Sequence, residues 1–421
     1  MAKKASSSKT KSRTAKPKSF GDSLRKMANM SFGEGSAVTA FELETNIEKV
    51  LKIGLPNLER SCTKSVDGEF GLPFGRVIDI FGRPKTGKTT LCLEIARSII
   101  EIGGVAVYID QERTLQTDYI LSLFNADQKI IEENFVLIQP SKDMVQSGTK
   151  LTVEEIGLRI YKITQEIRKW NKDRDEMIPV VIIWDSVSMT PTEADIKKIN
   201  KFDKGKGKPK YNDDGSEAEK DKPKKTKAKA TKAVSARPGA HASVLRAFFR
   251  EHYDDIAATK AMLVLVSQQS SNIGFAGSSF LGKDAISFSS SLVLQVARKE
   301  NVESTHGITG IRGNIIVKEN KTAAPGVVVP YQIDFGRGYN MIYDIDILLR
   351  ESKLFKGVGK LEVEFEDITF EYARLSTLQN RLVELGMEGG DERIDNLFRA
   401  AQIELFSKTN KDLRGIIKDK G

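Results

Sequence analysis

The 421-residue chain has few of the residues that disulfides, metal sites and membrane spans require. Its two cysteines, Cys62 and Cys92, form no CxxC pair, which argues against a disulfide framework and a thiolate zinc site. Only three histidines occur, so a histidine metal site is not expected. The basic start lacks an apolar h-region, and no apolar run approaches the ~18 residues of a membrane-spanning helix. We therefore expect a cytoplasmic protein of a reducing compartment, without membrane contact.

Positive charge is concentrated in two segments. Residues 1–26 carry nine Lys or Arg and one Asp, and residues 197–238 carry fifteen Lys or Arg and six Asp or Glu. These segments contribute +8 and +9 to a formal net charge of +9, which leaves −8 for the remainder. They are either non-specific solubilising segments or sites that attract a polyanion with salt-sensitive affinity. Residues 201–233 have almost no apolar side chains, which predicts a disordered insertion.

The stretch "GRVIDIFGRPKTGKTTLCLEIARSII" predicts a phosphate-binding loop between a strand and a helix. "RVIDIF" is typical of a short buried strand, "GRPKTGKT" matches G-x-x-x-x-G-K-[ST] in full, and Leu91, Ile95 and Ile99 follow at helical spacing. Converging backbone N–H groups and the start of the helix favour phosphate there. We expect Lys88 to reach the β- and γ-phosphates and the Thr89 hydroxyl to ligate Mg²⁺.

Polar residues end three further apolar strands. "GGVAVYIDQE" ends in Asp110 and Glu112, "PVVIIWDS" contains Asp185, and "AMLVLVSQQ" ends in Gln268 and Gln269. Carboxyl ends of parallel strands face the nucleotide crevice, although acids at strand ends are also common without function. The positions predict that Asp185 holds Mg²⁺ through water and that Glu112 orients the attacking water. A strand-end amide either senses the γ-phosphate or serves as a cap.

Five segments occur in an order that is specific to one family: "GLPFGRVIDIFGRPKTGKTTL", "VYIDQERTL", "VVIIWDSVSMTP", "NKTAAPG" and "DFGRG". Together they resemble the RecA family of strand-exchange recombinases, as a divergent, phage-type member, over roughly residues 32–341. The resemblance implies an α/β fold, a RecA-like P-loop ATPase core with a mostly parallel central sheet and helices on both faces. It also implies ATP bound between neighbouring subunits of a helical filament, with single-stranded DNA along its axis.

The resemblance assigns nucleotide roles one residue at a time. Glu112 matches the catalytic glutamate, Gln268 the glutamine that couples ATP to the second DNA-binding loop, and Tyr119 the aromatic that stacks on adenine. Gln116 stands where the family pattern has a nearby aspartate. The predicted metal ligands are Thr89 and Asp185. The other predicted nucleotide contacts form the loop itself: Gly82, Arg83, Pro84, Lys85, Thr86, Gly87, Lys88, Thr89 and Thr90.

The family also reaches a neighbouring subunit with lysines in a Lys-Asn-Lys pattern. Here the run is "VKENK", so Lys321 is retained, Glu319 replaces the other lysine, and Lys318, one residue away, is predicted to compensate. Lys318 and Lys321 are therefore further predicted nucleotide contacts. A cation supplied in this way stabilises charge on the transferring phosphoryl group. Phe288 resembles the aromatic that relays the nucleotide state across the subunit interface. The predicted catalytic set is therefore Glu112, Lys88, Gln268 and Lys321.

The two DNA-binding loops depart from the family pattern. The second reads "QSSNIGFAGSSFLGKD", with Ser270 and Asn272 where the family has Arg and Lys. Its apolar residues could wedge between bases. The first loop follows "DSVSMTP", where the lysine-rich insertion begins, so it is predicted to be enlarged and cationic. The alternative is a neutral surface insertion. The candidate DNA-binding residues are Ile273, Phe275, Lys283, Lys222, Lys224 and Lys225.

The sequence suggests four regions and one function. We expect a basic disordered tail (1–31), an N-terminal oligomerisation segment (32–70), the ATPase core (71–340, with the insertion at 197–238) and a small α/β C-terminal domain (341–421). The expected function is ATP-dependent strand exchange in recombination and repair. Single- and double-stranded DNA are the expected partners, with single-strand-binding and loader proteins as further candidates. A hexameric helicase or motor and a regulatory ATP-binding DNA tether remain alternatives. A phage-encoded chain would act in the host-cell cytoplasm.

Overall fold

The computed structural model describes residues 19–33, 36–38, 47–124, 128–146, 150–197, 240–271, 278–279, 282–305 and 307–418. Residues 198–238 of the predicted insertion lie outside these ranges, as do Ile273 and Phe275. The chain divides into two compact units, Met1–Asn46 and Ile47–Gly421. None of the described helices combines the length and the apolar composition that a bilayer crossing needs.

Nine strands form the central sheet in the described part of the larger unit. The strands of that unit are β1 (Val50–Leu51), β2 (Thr63–Lys64), β3 (Phe70–Pro73), β4 (Val77–Gly82), β5 (Val105–Asp110), β6 (Phe135–Ile138), β7 (Val180–Asp185), β8 (Met262–Gln268), β9 (Ser270–Ser271), β10 (Ser278–Ser279), β11 (Leu292–Ser304), β12 (Gly307–Asn320), β13 (Val328–Asp334), β14 (Gly338–Tyr339), β15 (Leu361–Phe365) and β16 (Ile368–Tyr372).

The order in the sheet is β14-β13-β12-β11-β4-β8-β7-β5-β6. Neighbouring strands are parallel in the series β11, β4, β8, β7, β5 and β6. Neighbouring strands are antiparallel in the series β11, β12, β13 and β14. The predicted mostly parallel sheet is therefore confirmed. Parallel pairing brings the carboxyl ends of β4, β5, β7 and β8 to one edge. In register, Gly82 lies opposite Gln268, and Asp110 lies opposite Asp185.

The helices are α1 (Phe20–Phe32), which belongs to the smaller unit, and, in the larger unit, α2 (Pro56–Cys62), α3 (Lys88–Glu101), α4 (Thr117–Phe124), α5 (Gln128–Asn134), α6 (Lys142–Gln146), α7 (Val153–Asn171), α8 (Ala240–Ala258), α9 (Lys283–Ser289), α10 (Met341–Ser352), α11 (Leu375–Glu384) and α12 (Glu392–Lys418). Helix α7 begins with a capping box, in which Thr152 and Glu155 satisfy each other's backbone N–H groups. Helix α8 follows the insertion in the sequence and carries buried residues such as Leu245 and Phe249.

Alternation of side chains along the strands builds a core on each face of the sheet. Ile78 and Ile80 of β4 join one apolar cluster, which includes α3 and α4. Val77 and Phe81 join the other, which includes α7, α8 and α9. Successive side chains of a strand point to opposite faces, so strands buried on both sides are apolar throughout. The predicted helices on both faces are thus confirmed.

A third apolar cluster lies in the C-terminal part of the chain. It joins α10, the β15–β16 hairpin, α11 and α12 around fully buried residues such as Leu348 and Leu397. Polar contacts attach this part to α2: the Asp344 carboxylate accepts from the Asn57 backbone N–H at 2.7 Å, and Arg60 pairs with Glu351 at 3.1 Å. The domain boundaries predicted from the sequence stay predictions.

The smaller unit contains α1, which corrects one prediction. Residues 1–31 were expected to be a disordered tail, but a helix spans Phe20–Phe32. The Ser19 hydroxyl caps it by accepting from the Asp22 N–H at 3.1 Å, and apolar residues recur along one side. None of its residues is buried within the described structure. The basic residues that suggested disorder mostly precede this helix.

Candidate nucleotide-binding site

The glycine-rich loop joins β4 to α3, as its sequence predicted. Gly87 has a φ of +97°, and a Cβ there would lie 2.2 Å from Ile333 Cδ1, so only glycine fits this turn. A Cβ on Gly82 would lie 2.2 Å from the Val296 carbonyl oxygen. Because the first N–H groups of α3 have no helical partner, the loop and helix start offer donors to an anion.

Lys88 folds over this loop. Its side chain is 7% exposed, and Nζ donates to the Arg83 carbonyl oxygen at 2.9 Å. Burial lowers the Lys88 pKa, while the nearby carboxylates of Asp185 and Glu112 act in the opposite direction. The lysine is therefore held inside the loop, where a phosphate oxygen could replace the carbonyl as its partner.

Asp185 and Thr89 form the candidate metal site. The Thr89 hydroxyl donates to Asp185 Oδ2 at 2.9 Å, and the Tyr108 hydroxyl donates to the same oxygen at 2.6 Å. Burial raises the pKa of Asp185, and these two hydrogen bonds counteract the rise. Hydroxyl and carboxylate oxygens at the start of a phosphate-binding helix suit Mg²⁺, which prefers few protein ligands together with phosphates and water. The residues present therefore fit the predicted ion.

Glu112 lies at the meeting point of three segments. Its Oε1 accepts from Gln268 Nε2 at 2.5 Å and from the Ser186 hydroxyl at 2.8 Å. The Gln268 backbone N–H in turn donates to the Ser188 hydroxyl at 2.9 Å. The peptide bond between Asp185 and Ser186 is cis. Glu112 and Gln268, predicted separately from strand-end positions, are thus in direct contact.

Asp110 has a different environment from Glu112. It is buried and accepts from the Gln139 side-chain amide at 3.0 Å and from the Leu115 N–H at 3.3 Å. These contacts hold the segment that follows β5 rather than presenting the carboxylate to a ligand. Glu112, two residues further on, is instead in contact with Gln268 and Ser186.

Tyr119 and Thr90 connect the loop helix to α4. The two hydroxyl groups lie 2.7 Å apart, and the Tyr119 side chain is half-buried. The Gln116 carbonyl oxygen accepts from the Tyr119 N–H at 3.1 Å, so the departure from the family's aspartate leaves the local turn in place. The adenine contact of Tyr119 stays a prediction.

The segment with the retained lysine contacts α9. Lys321 Nζ donates to the Phe288 carbonyl oxygen at 2.7 Å and lies 5.9 Å from the centroid of the same ring. Phe288 is 85% exposed, and Lys318 and Glu319 are also exposed. Asn320, between Glu319 and Lys321, has a structural contact, because its Nδ2 donates to the Cys62 carbonyl oxygen at 2.6 Å. The pair Lys321–Phe288 therefore lies on the surface of the chain.

Sequence reasoning missed three tyrosines near the site. Tyr108 fixes Asp185, whereas Tyr331 and Tyr339 donate to carbonyl oxygens of the loop. A buried tyrosine in an otherwise aliphatic strand is the signal that could have indicated Tyr108, because a buried hydroxyl usually finds a partner. Of the candidate DNA-binding residues, Lys283 is exposed at the start of α9, and Lys222, Lys224, Lys225, Ile273 and Phe275 lie outside the described residues.

Comparison with known proteins finds sequence similarity to one family. The family model described as the RecA N-terminal domain matches residues 20–144. Protein RecA of Thermosynechococcus vestitus is 23% identical over 357 residues, which cover 81% of each chain. Protein RecA of Arthrospira platensis is 24% identical and covers 80% of this chain and 76% of its own. Protein RecA of Desulfotalea psychrophila is 25% identical, with 75% and 72% covered.

The chain is similar to RecA proteins at low sequence identity. The family resemblance noted in the five sequence segments is thereby confirmed. The RecA relatives match about four fifths of the chain, so the similarity extends well beyond the phosphate-binding loop. Because the sequence identity is only about one quarter, the roles of the individual site residues stay predictions.

Proposed function

We propose that the chain is an ATP-dependent DNA recombinase that forms helical filaments on single-stranded DNA and exchanges strands with a homologous duplex. The observation that supports this most is the 2.5 Å contact between Gln268 and Glu112. Gln268 ends β8, immediately before the segment predicted to be the second DNA-binding loop. DNA bound at that segment would therefore act on Glu112, the group proposed to orient the attacking water, through its contact with Gln268.

The proposed hydrolysis assigns one task to each residue. Lys88 and the loop N–H groups hold the β- and γ-phosphates, and Thr89 and Asp185 would hold Mg²⁺, which supplies positive charge to the phosphate oxygens. Glu112 accepts a hydrogen bond from the attacking water and so orients it. Ser186 and Gln268 both donate to one oxygen of Glu112, which leaves the other oxygen for the water. A lysine from the neighbouring subunit, Lys321, stabilises the charge that develops.

DNA contact is proposed for two regions. The lysine-rich insertion supplies the non-specific attraction to phosphates, and the segment after Gln268, ending at Lys283, supplies closer contacts. The insertion is followed by α8, the next described element. Its buried residues Leu245 and Phe249 attach this end of the insertion to the core. Double-stranded DNA, single-strand-binding proteins and loaders are proposed as further partners.

Electron microscopy with ATP and single-stranded DNA tests the proposal. A helical filament that requires both ligands supports a recombinase, whereas a closed ring selects a helicase or motor. DNA bound without regular assembly selects a regulatory tether. The matched control is Lys88→Ala, which should fail to form the ATP-dependent filament because the phosphates lose their main cationic contact.

A further inference from the structure

Two tyrosines from the β13–β14 edge of the sheet contact the backbone of the phosphate-binding loop. The Tyr331 hydroxyl donates to the Thr86 carbonyl oxygen at 2.6 Å, and the Tyr339 hydroxyl donates to the Gly87 carbonyl oxygen at 3.3 Å. The two rings lie 5.3 Å apart between centroids, and both side chains are buried. Their strands, β13 and β14, pair with each other at the edge of the central sheet.

The bond from Tyr331 fixes the orientation of one peptide plane, and the bond from Tyr339 reinforces a second, whose Gly87 carbonyl oxygen also accepts from the Leu91 N–H at 2.9 Å. In a trans peptide the carbonyl oxygen and the following N–H point in opposite directions. Holding the Thr86 carbonyl oxygen therefore directs the Gly87 N–H away from Tyr331, and holding the Gly87 carbonyl oxygen directs the Lys88 N–H away from Tyr339. N–H groups of this part of the loop are the donors that a phosphate-binding loop offers to its ligand.

The surrounding contacts make this support rigid. Ile333, which lies between the two tyrosines in sequence, packs against the turn so closely that Gly87 has no room for a Cβ. The Tyr339 backbone N–H donates to Glu94 Oε1 at 3.0 Å, and Arg97 pairs with the same carboxylate at 2.8 Å. The β13–β14 hairpin is thus attached to both the start and the middle of α3.

We infer that Tyr331 and Tyr339 are positioning residues of the phosphate-binding loop, which hold its N–H groups ready for the phosphates before nucleotide arrives. The inference rests on the proposed ATP site. Each hydroxyl acts on the loop backbone, so its loss weakens binding of the phosphate groups and leaves the base contact and the catalytic carboxylates unchanged. Loss of the Tyr331 hydroxyl weakens phosphate binding more than loss of the Tyr339 hydroxyl, because its hydrogen bond is shorter.

The test uses Tyr331→Phe and Tyr339→Phe in the full chain. Each variant keeps the ring and removes only the hydroxyl. Isothermal titration with Mg·ADP should show a dissociation constant about 2- to 10-fold higher for Tyr331→Phe, the range expected for one hydrogen bond, and a smaller rise for Tyr339→Phe. The dissociation constant of Mg·pyrophosphate, which has no base, should rise by the same factor when it is measured by competition. For hydrolysis, KM should rise while kcat stays within about twofold.

A matched control separates positioning from general stability. Tyr372 of β16 is equally buried but belongs to the C-terminal cluster, so Tyr372→Phe should leave the dissociation constant unchanged. If folded Tyr331→Phe binds both probes like the wild type, or weakens ADP alone, the inference is wrong. If Tyr331→Phe does not fold, the inference is wrong when Tyr339→Phe binds both probes with the affinity of the wild type. A wild-type protein that binds neither probe contradicts the proposed ATP site instead.

Discussion

The side-chain amide of Gln268 donates a hydrogen bond of 2.5 Å to the Glu112 carboxylate, although the two residues are 156 positions apart in the sequence. They meet because β5 and β8 are parallel strands on either side of β7, so their carboxyl ends reach the same edge. Glu112 is the residue proposed to orient water, and Gln268 is the last residue of its strand. A shift of the segment after Gln268 therefore changes the environment of Glu112 directly.

We predict that Gln268→Ala uncouples hydrolysis from DNA. Basal ATP hydrolysis should stay within a few-fold of wild type, because Ser186 still donates to Glu112. Stimulation by single-stranded DNA should fall by about tenfold or more, since the route from DNA to Glu112 is lost. Phosphate release measured with and without DNA checks this. Gln269→Ala is the control, because Gln269 contacts Gln295 instead, at 3.4 Å; equal loss in both variants would contradict a specific role.

Glu112→Gln should bind ATP normally and hydrolyse it about 10²- to 10⁴-fold more slowly, the usual contribution of a general base. The substitution keeps the size of the side chain and removes its charge. Binding and single-turnover hydrolysis should be measured on the same preparation. Hydrolysis within a few-fold of wild type would show that another group orients the water.

Lys321→Ala should impair DNA-stimulated hydrolysis without weakening ATP binding by isolated subunits. Its ammonium group lies on the surface against Phe288, and the subunit's own Glu112 is contacted by Gln268 and Ser186 instead. A cation that acts in a neighbouring subunit would have this placement.

Mixing Lys321→Ala with Glu112→Gln subunits provides the decisive control. Some mixed interfaces then contain an intact lysine and an intact glutamate, so part of the activity should return. Absence of any recovery over a range of mixing ratios would place Lys321 in its own subunit's chemistry or in none.

Asp79 should make the stability of the protein depend on pH. It is fully buried in β4, Ser267 donates to its Oδ1 at 3.0 Å, and its Oδ2 has no hydrogen-bond partner among the described residues. Burial raises its pKa to about 7, so the folded state retains a proton that the unfolded state releases near pH 4. The unfolding free energy attributable to Asp79 therefore decreases as pH rises from about 4 to 7.

Asp79→Asn should remove this contribution. Denaturant unfolding at pH 5 and pH 8 should show a smaller loss of stability for the variant than for the wild type. The difference should be on the order of a few kcal/mol, since one pKa unit corresponds to about 1.4 kcal/mol. Glu59, whose pKa burial also raises to about 7, remains in both proteins and serves as an internal reference. An identical pH dependence of the two proteins would refute this account of Asp79.

The sequence predicted the parts of this molecule that depend on local pattern. The strand–loop–helix order around Lys88 and the strand ends that bear Glu112 and Asp185 follow from periodicity and glycine spacing. These features can be predicted because they depend only on residues nearby in the sequence or on the general geometry of parallel sheets. The direct contact of Glu112 with Gln268 was not predicted, although both positions were placed at strand ends, and parallel strands bring such ends together.

What the sequence did not predict depends on contacts between distant elements. Nothing near Tyr331 indicates that its hydroxyl reaches the Thr86 carbonyl oxygen, since the two residues are 245 positions apart. Helix α1 was missed because the lysines before it dominated the composition, whereas Ser19 and the apolar spacing within residues 20–32 carried the signal. Likewise, that Asp110 holds a loop while Glu112 faces the site could be known only from their partners.

Strand exchange itself tests the central claim most directly. A fluorescent single strand, its homologous duplex, ATP and Mg²⁺ should yield a new labelled duplex in the presence of the wild-type protein. No product should form with a non-homologous duplex, without ATP, or with Lys88→Ala. Bound DNA and hydrolysed ATP without any labelled duplex would contradict the proposed recombinase and favour a motor or a regulatory tether built on the same RecA-type core.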